Sequence, residues 1–359
     1  MEVALKIWRY DPESGERDLR EYDVDAPEWA CLLDVLDLIK DKHDGTLAYR
    51  KSCRMMICGS CGMRMDGRAV LACKERMKPI ADAGHVPVIS AMGNLPIVKD
   101  LVVDMDPFWQ KMQAIQPYLA PRLDRTTEGE NVVAQERMDV IHKESLCINC
   151  GCCVSECNSM ESDPEFLGPA ALAKGFRFVG DVRDQADVAR LNDYNQDHGI
   201  WDCTRCYFCN ERCQKGVDPR DAIAKLGAES IKQKVDHDMG AKHAKWFVKS
   251  AETTGWLRET ELVPKTQGTF SALKEIGFAL NLAKRGKVPP PFPPHVAKDV
   301  KEARALHDLV RTQGREGAAG IVQGEKGLAM IEHVLEADPD HAAASRIDPQ
   351  QSGGKSGGD

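Results

Sequence analysis

The sequence predicts an α+β chain: a small strand-and-helix domain, then a helical domain, then a helical extension. Two alternating apolar and polar runs open the chain, and helical periodicity dominates from about residue 108 onward. All but one of the fourteen cysteines fall into three bunches, one early and two in the middle, and none follows Ile231.

Val3, Leu5 and Ile7 share one face of the first run, with Ala4, Lys6, Trp8 and Tyr10 opposite, which reads as a half-buried strand. Asp11, Pro12, Ser14 and Gly15 supply turn chemistry, and a second alternating run with Arg20, Tyr22 and Val24 completes a hairpin. Leu32, Val35, Leu36 and Ile39 recur at helical spacing. With the cysteine-bearing loop after them they make a small α+β domain over 1–107. Residues 108–141 are helical in pattern but broken by Pro117, Pro121 and the polar run 124–131, and read as a connecting helical segment. Residues 142–230 hold two dense cysteine runs separated by helix formers, which predicts helices wrapped around the cysteines. The extension, 231–344, contains amphipathic pieces at 244–251, 270–283 and 296–310. The proline-rich run 288–294 between them reads as a polyproline II spacer, and 345–359 as a disordered tail.

At 359 residues and 42% hydrophobic, the chain has enough apolar mass for two domains and an appendage. The net charge is -8, pI is near 5.8 and the basic residues are dispersed, which argues against a nucleic-acid partner. No apolar run approaches the roughly 18 residues of a membrane-spanning helix. The start, MEVALKIWRYD, has charges where a secretory signal has its apolar core. The expectation is a chain soluble by itself, in a reducing compartment, with any membrane contact made through partners. Cysteines bunched at short spacings in a long chain read as metal ligands rather than disulfides.

The first bunch is Cys53, Cys58 and Cys61, with Cys73 further on. C-x4-C-x2-C…C is the spacing of plant-type [2Fe-2S] sites: a tight loop delivers three thiolates and a nearby element the fourth. Gly59, Gly62 and Gly67 allow close turning there. A structural zinc site, the alternative, prefers two separated C-x2-4-C pairs. The second run, Cys147, Cys150, Cys153 and Cys157, is C-x2-C-x2-C-x3-C, and the third, Cys203, Cys206, Cys209 and Cys213, repeats it. In that pattern three cysteines hold one cubane and the fourth reaches across to the other. The expected sets are Cys147, Cys150, Cys153 and Cys213 for one [4Fe-4S] cluster, and Cys157, Cys203, Cys206 and Cys209 for the other. Cys31 reads as a free thiol in the helix with Leu32, and Cys152 as a spare thiol that stands near enough to substitute as a ligand.

The remaining signals are weaker. No Asp/Glu pair stands out as an acid/base couple. His43, His85, His142, His198, His237 and His243 are scattered, with none at metal-ligand spacing to another. Trp8, Trp29 and Trp201 read as core residues, Trp201 also as a shield for the third run. The helix pieces with Trp246, Phe247 and Trp256 suit packing on the protein's own body, a partner or a membrane surface.

With these sets in place, residues 1 to 228 resemble the iron-sulfur subunit of the succinate dehydrogenase and fumarate reductase family. The likeness extends beyond ligands to 52–54 (SCR), 58–60 (CGS), 71–73 (LAC), 95–104 (LPIVKDLVVD), 164–170 (PEFLGPA) and Asp218-Pro219. The resemblance implies a β-grasp ferredoxin domain followed by an α-helical ferredoxin domain. It also implies an FAD-containing flavoprotein partner that interconverts succinate and fumarate, and a membrane anchor through which quinone is reached indirectly. The expected location is peripheral, on the cytoplasmic face of the inner membrane. Most members have an aliphatic residue at the position of Cys206 and a [3Fe-4S] cluster there; this thiol predicts a second [4Fe-4S] cluster, with [3Fe-4S] as the alternative. The prolines that follow each run are replaced by Asn158 and Gln214, and the tryptophan and histidine of the quinone pocket by Ser162 and Thr204. The extension, with 245–248 (KWFV) and 283–289 (AKRGKVP), is similar to the tail of a heterodisulfide reductase subunit. That fits a branch in which a cysteine-rich subunit replaces the usual anchor, and an alternative role as an electron wire in a heterodisulfide-reductase-like or thiol-linked fumarate reductase complex. A zinc-stabilised interaction module is the alternative of another class.

Overall fold

The first alternating run forms β1 (Glu2–Tyr10) and the second β2 (Arg17–Asp25), paired antiparallel from Glu2 opposite Asp25 to Tyr10 opposite Arg17. Val3, Leu5 and Ile7 are buried, and so are Leu32, Leu33, Val35, Leu36 and Ile39 of α1 (Leu32–Lys42). β3 (Gly62–Met65) and β4 (Arg68–Leu71) form a second hairpin through Asp66 and Gly67, both at positive φ as a type I′ turn requires. After α2 (Lys78–Asp82), β5 (Val88–Ser90) enters the middle of the sheet, parallel to β1 and antiparallel to β3. The order is β2-β1-β5-β3-β4. β6 (Ile97–Lys99) and β7 (Val102–Val103) make a separate ribbon, followed by α3 (Asp106–Ala114).

Two tryptophans depart from expectation. Trp8 is 42% and Trp29 66% exposed, so neither belongs to the core. Trp8 lies on the outer face of β1, opposite Val3, Leu5 and Ile7. The inward position after Ile7 is Arg9, 5% exposed. Its guanidinium meets Asp100 at 2.9 Å, Tyr22 at 2.8 Å and Thr46 at 3.0 Å, and also pairs with Asp44. A buried cation is tolerable only when its donors are matched in this way.

The helical part comprises α4 (Gln135–Ser145), α5 (Cys152–Ser155), α6 (Asn158–Ser162), α7 (Gly168–Val179), α8 (Asp187–Tyr194), α9 (Phe208–Arg212) and α10 (Pro219–Lys232). A 3-10 turn, Ile200–Asp202, precedes the third cysteine run. α7 is the central helix: a Cβ on Gly175 would stand 2.9 Å from the Tyr194 ring, so the absent side chain lets α8 approach. Arg190, 1% exposed, donates to the carbonyls of Ile115, Gln116 and Tyr118 and pairs with Asp184, which pins the chain leaving α3. Two apolar cores result, one between sheet and α1, the other running from Ala91 to Val235.

The computed structural model describes residues 1–121, 132–287, 296–305 and 307–309. It divides into Met1–Lys242 and His243–Asp359. α11 (Met239–Thr254) leads into the second unit, with α12 (Glu259–Thr266), α13 (Thr269–Lys274) and α14 (Ile276–Lys284). The piece expected at 270–283 is thus two helices, interrupted at Glu275. In this unit Ser250 Oγ accepts from Arg258 N at 2.6 Å and donates to Trp256 O at 2.9 Å, and Thr254 O accepts from Ala297 N at 2.7 Å. The polar run 124–131, the proline-rich run 288–294 and the tail 345–359 lie outside the described residues, as does part of 296–310. Among the described residues no helix is long and apolar enough to cross a membrane.

Candidate electron-transfer centres

The loop before β3 is built to hold anionic sulfur. Arg54, Met56 and Gly59 take positive φ, which curls the backbone so that its amides point inward. Met55, Ile57 and Cys58 N lie 3.4, 3.3 and 3.2 Å from Cys53 Sγ, and Cys58 Sγ meets the Ser60 hydroxyl at 3.1 Å. Burial opposes ionisation of Cys58, but the Ser60 hydroxyl and nearby amides outweigh it and bring the thiol down to about 6. Cys61, in the core, is pushed up to about 12 by burial, with the Cys73 and Cys58 sulfurs adding to the effect. Cys61 O accepts from Ala72 N at 3.0 Å, so Cys61, just before β3, is tied beside Cys73.

The two later runs share one backbone conformation. The third and fifth residues of each are left-handed: Asn149 and Gly151 in one, Arg205 and Tyr207 in the other. Each turn then starts a short helix, α5 or α9. Tyr207 holds this unusual conformation under the Arg220 guanidinium, 4.4 Å from its ring.

One cavity is lined by Cys147, Cys150, Cys153 and Cys213, with Ala170, Ala173 and Val217 among its apolar walls. A second is lined by Cys157, Cys203, Cys206 and Cys209, with Phe166, Pro169 and Ile223. In each, the fourth cysteine comes from the other run. The chemistry of the donor set suits iron-sulfur cubanes: four soft sulfur ligands in a largely apolar-walled space. Burial pushes the thiols of Cys147, Cys157 and Cys203 up and Cys209 up to about 12, so leaving them bare thiolates there is unfavourable. Val217 N reaches Cys213 Sγ at 3.3 Å.

Cys152 lines neither cavity. It is fully buried in the core of the sheet domain, its thiol 3.8 Å from Val70 O. A hydrogen bond from it is the leading cause that holds Cys150 down, to about 7. Cys31 stands just before α1 rather than within it, its thiol 3.0 Å from Asp34.

The loop of the first bunch touches the second run directly: a Cβ on Gly59 would stand 2.9 Å from Cys150 Cα. A polar clasp reinforces this. Glu156 accepts from Ala69 N and, at 2.6 Å, from Arg212 Nε, while Arg64 Nε lies 3.1 Å from Ser155 Oγ. Gln214, where a proline was expected, bonds Ala69 O at 3.4 Å and Lys74 at 3.3 Å. These contacts join residues far apart in sequence, and nothing in the spacing signalled them.

Beside the last cavity is a polar pocket lined by Ser162, Asp163, Asp197, His198, Asp202 and Asp238, among others. Ser159 and Thr204 line both spaces, and Thr204 N donates to Ser159 Oγ at 3.2 Å. Trp201 lines this pocket rather than the cysteine cavity. Its Nε1 donates to Asn195 at 2.6 Å. His198, one of the histidines that the sequence shows as scattered, is held by Asp163 at 2.7 Å and Glu165 at 3.0 Å. The bond to Asp163 raises its pKa.

A five-stranded sheet with a cysteine loop, joined to helices that enclose two four-cysteine cavities, defines an iron-sulfur electron carrier of the ferredoxin kind. Residues 4–110 match the family model of the 2Fe-2S iron-sulfur cluster binding domain, and 144–217 that of the 4Fe-4S dicluster domain. The fumarate reductase iron-sulfur subunit of Escherichia coli is 39% identical over 231 residues, covering 64% of this chain and 93% of that one. The 8-methylmenaquinol:fumarate reductase iron-sulfur subunit of Wolinella succinogenes is 30% identical over 317 residues, covering 86% of this chain and 99% of its own. The Mycobacterium smegmatis Sdh1 complex in the apo form contains a chain of the same fold, with TM-score 0.60 at 24% identity over 66% of this chain and 98% of that one. The chain belongs to the iron-sulfur subunits of the succinate dehydrogenase and fumarate reductase family. That membership displaces the zinc-stabilised module weighed above.

Proposed function

We propose that this chain carries electrons between an FAD-containing flavoprotein subunit, which interconverts succinate and fumarate, and an anchor-side acceptor. Cys53, Cys58, Cys61 and Cys73 would hold a [2Fe-2S] cluster, Cys147, Cys150, Cys153 and Cys213 a [4Fe-4S] cluster, and Cys157, Cys203, Cys206 and Cys209 a second [4Fe-4S] cluster. Bound clusters supply one-electron redox chemistry; the protein contributes position, burial and hydrogen bonds to sulfur. The observation that carries the reading is the crosswise lining of the two cavities, four cysteines each. The amides around Cys53 and the Ser60 hydroxyl stabilise negative charge at the first centre. At the other two, the apolar walls limit water at the buried residues Cys153, Cys157 and Cys209.

Cys206 is the distinguishing residue. Low-temperature electron paramagnetic resonance of the oxidised, oxygen-protected protein is expected to show no [3Fe-4S] signal, and Cys206→Ser to generate one. A full [3Fe-4S] signal in the unaltered protein would remove Cys206 from the ligand set.

On the acceptor side, the Wolinella relative named for 8-methylmenaquinol spans most of the extension as well, which supports a quinone couple reached through an anchor. A thiol-linked acceptor held by a cysteine-rich subunit is favoured by one observation: Ser162 and Thr204 leave a carboxylate-lined pocket beside the last cavity. Assaying the complex, purified with its partners, against quinone and against disulfide separates the two.

A further inference from the structure

α13 and α14 present an apolar surface with no counterpart among the other described residues of the second unit. Phe270 is 84% exposed, Phe278 63% and Leu273 60%, with Leu280 and Ile276 close behind, and neither helix contains a buried residue. Around α14, Phe278, Leu282, Ala279, Ala283, Ile276 and Leu280 sweep an arc of about 200°, leaving a strip with Gly277, Asn281 and Lys284. Charge is equally one-sided. Residues 268–287 carry Lys274, Lys284, Arg285 and Lys287 against Glu275 alone, a net +3 in a chain of net -8.

We propose that 269–287 is a docking surface for an anionic lipid bilayer, with the apolar side chains at the acyl boundary and Lys284, Arg285 and Lys287 against headgroup phosphates. An apolar face flanked by basic residues is the signature of a helix that lies in the interface. α14 is about 13 Å long against a hydrocarbon core of about 30 Å, so it rests on the membrane and does not span it. A second copy packed parallel to the first is a poor occupant, because that two-fold contact would set one basic cluster against the other. The proposal goes beyond the electron-transfer reading and does not depend on it: this chain would touch lipid itself, in addition to any contact through partners.

The test is co-sedimentation of the full-length, cluster-loaded chain with vesicles of phosphatidylcholine alone, or of phosphatidylcholine and phosphatidylglycerol in equal parts. Binding to the anionic vesicles is expected to be at least about tenfold tighter at low salt and to weaken as salt is raised. Lys284→Glu with Arg285→Glu, and separately Phe278→Ser with Leu280→Ser, should each reduce it while the visible absorption of the clusters is unchanged. Failure to bind anionic vesicles, equal binding to both, or binding indifferent to salt would overturn the proposal. Retention of the face by a partner subunit with no affinity for vesicles would assign it to protein and overturn it equally.

Discussion

Arg9 shows how a single residue can escape a pattern that is otherwise legible. Alternation places position 9 inward as firmly as positions 3, 5 and 7, yet the residue there is a cation, and its partners Asp44 and Asp100 lie far along the chain. No local signal announces such a cluster. Removing the guanidinium by Arg9→Ala leaves buried carboxylate uncompensated and should cost about 3–5 kcal/mol, read as a lowered urea midpoint. The pH dependence has a definite sign. Burial alone would raise the Asp44 pKa, but Thr46, Arg9 and Tyr22 together hold it well below the usual carboxylate range. Its stabilisation is therefore fully present above the unfolded value of about 4 and is lost as pH falls through the folded one. Asp44→Asn should flatten that acid limb of the stability curve; an unchanged limb would show that other groups set it. Cys152 is the converse case, a thiol inside a cysteine run that spacing alone could not place. The core of the sheet domain claims it, so Cys152→Ala should cost about 1 kcal/mol through lost packing and leave iron content unchanged. Loss of one cluster's worth of iron would make it a ligand.

At the scale of elements, the cysteine runs were legible as candidate sites because each proposed site is mostly local: C-x2-C-x2-C loops shape themselves through left-handed residues such as Asn149 and Arg205. The hairpin of β1 and β2 and the helix α1 were legible for a similar reason, since apolar periodicity reports the face each presents. The interruption at Glu275 was not, because 270–283 reads as one amphipathic run and neither Lys274 nor Glu275 is a helix-breaking residue. Nor was the docking of one cysteine loop on another. Gly59 sits at φ +71 with no room for a side chain against Cys150 and Ile148. Gly59→Ala should therefore cost about 1–3 kcal/mol in strain and push the loop away from the second run. The expected readouts are a lower temperature for loss of visible absorbance and slower reduction of the later centres by the flavoprotein. A variant with both values intact would mean that the loop shifts freely and that the contact is not needed for the electron path.

Across the whole molecule, charge is distributed unevenly, and the far end of the proposed path is where this matters most. Asp163, Asp197, Asp202 and Asp238 surround the pocket beside the last cysteine cavity, against one histidine. Carboxylates lining a cleft raise the local concentration of cations and repel anions, an effect that reaches about 10 Å at 0.1 M salt and about 3 Å at 1 M. Electrons leaving through this face should then prefer a positively charged acceptor. With the protein reduced through its flavoprotein, hexaammineruthenium(III) is expected to be reduced faster than ferricyanide, after correction for their driving forces, at low ionic strength. The preference should shrink as salt is raised, and Asp163→Asn with Asp238→Asn should lower it without altering cluster content. Faster reaction with the anionic oxidant under the same conditions would place the exit elsewhere, most simply at an exposed centre such as that of Cys58.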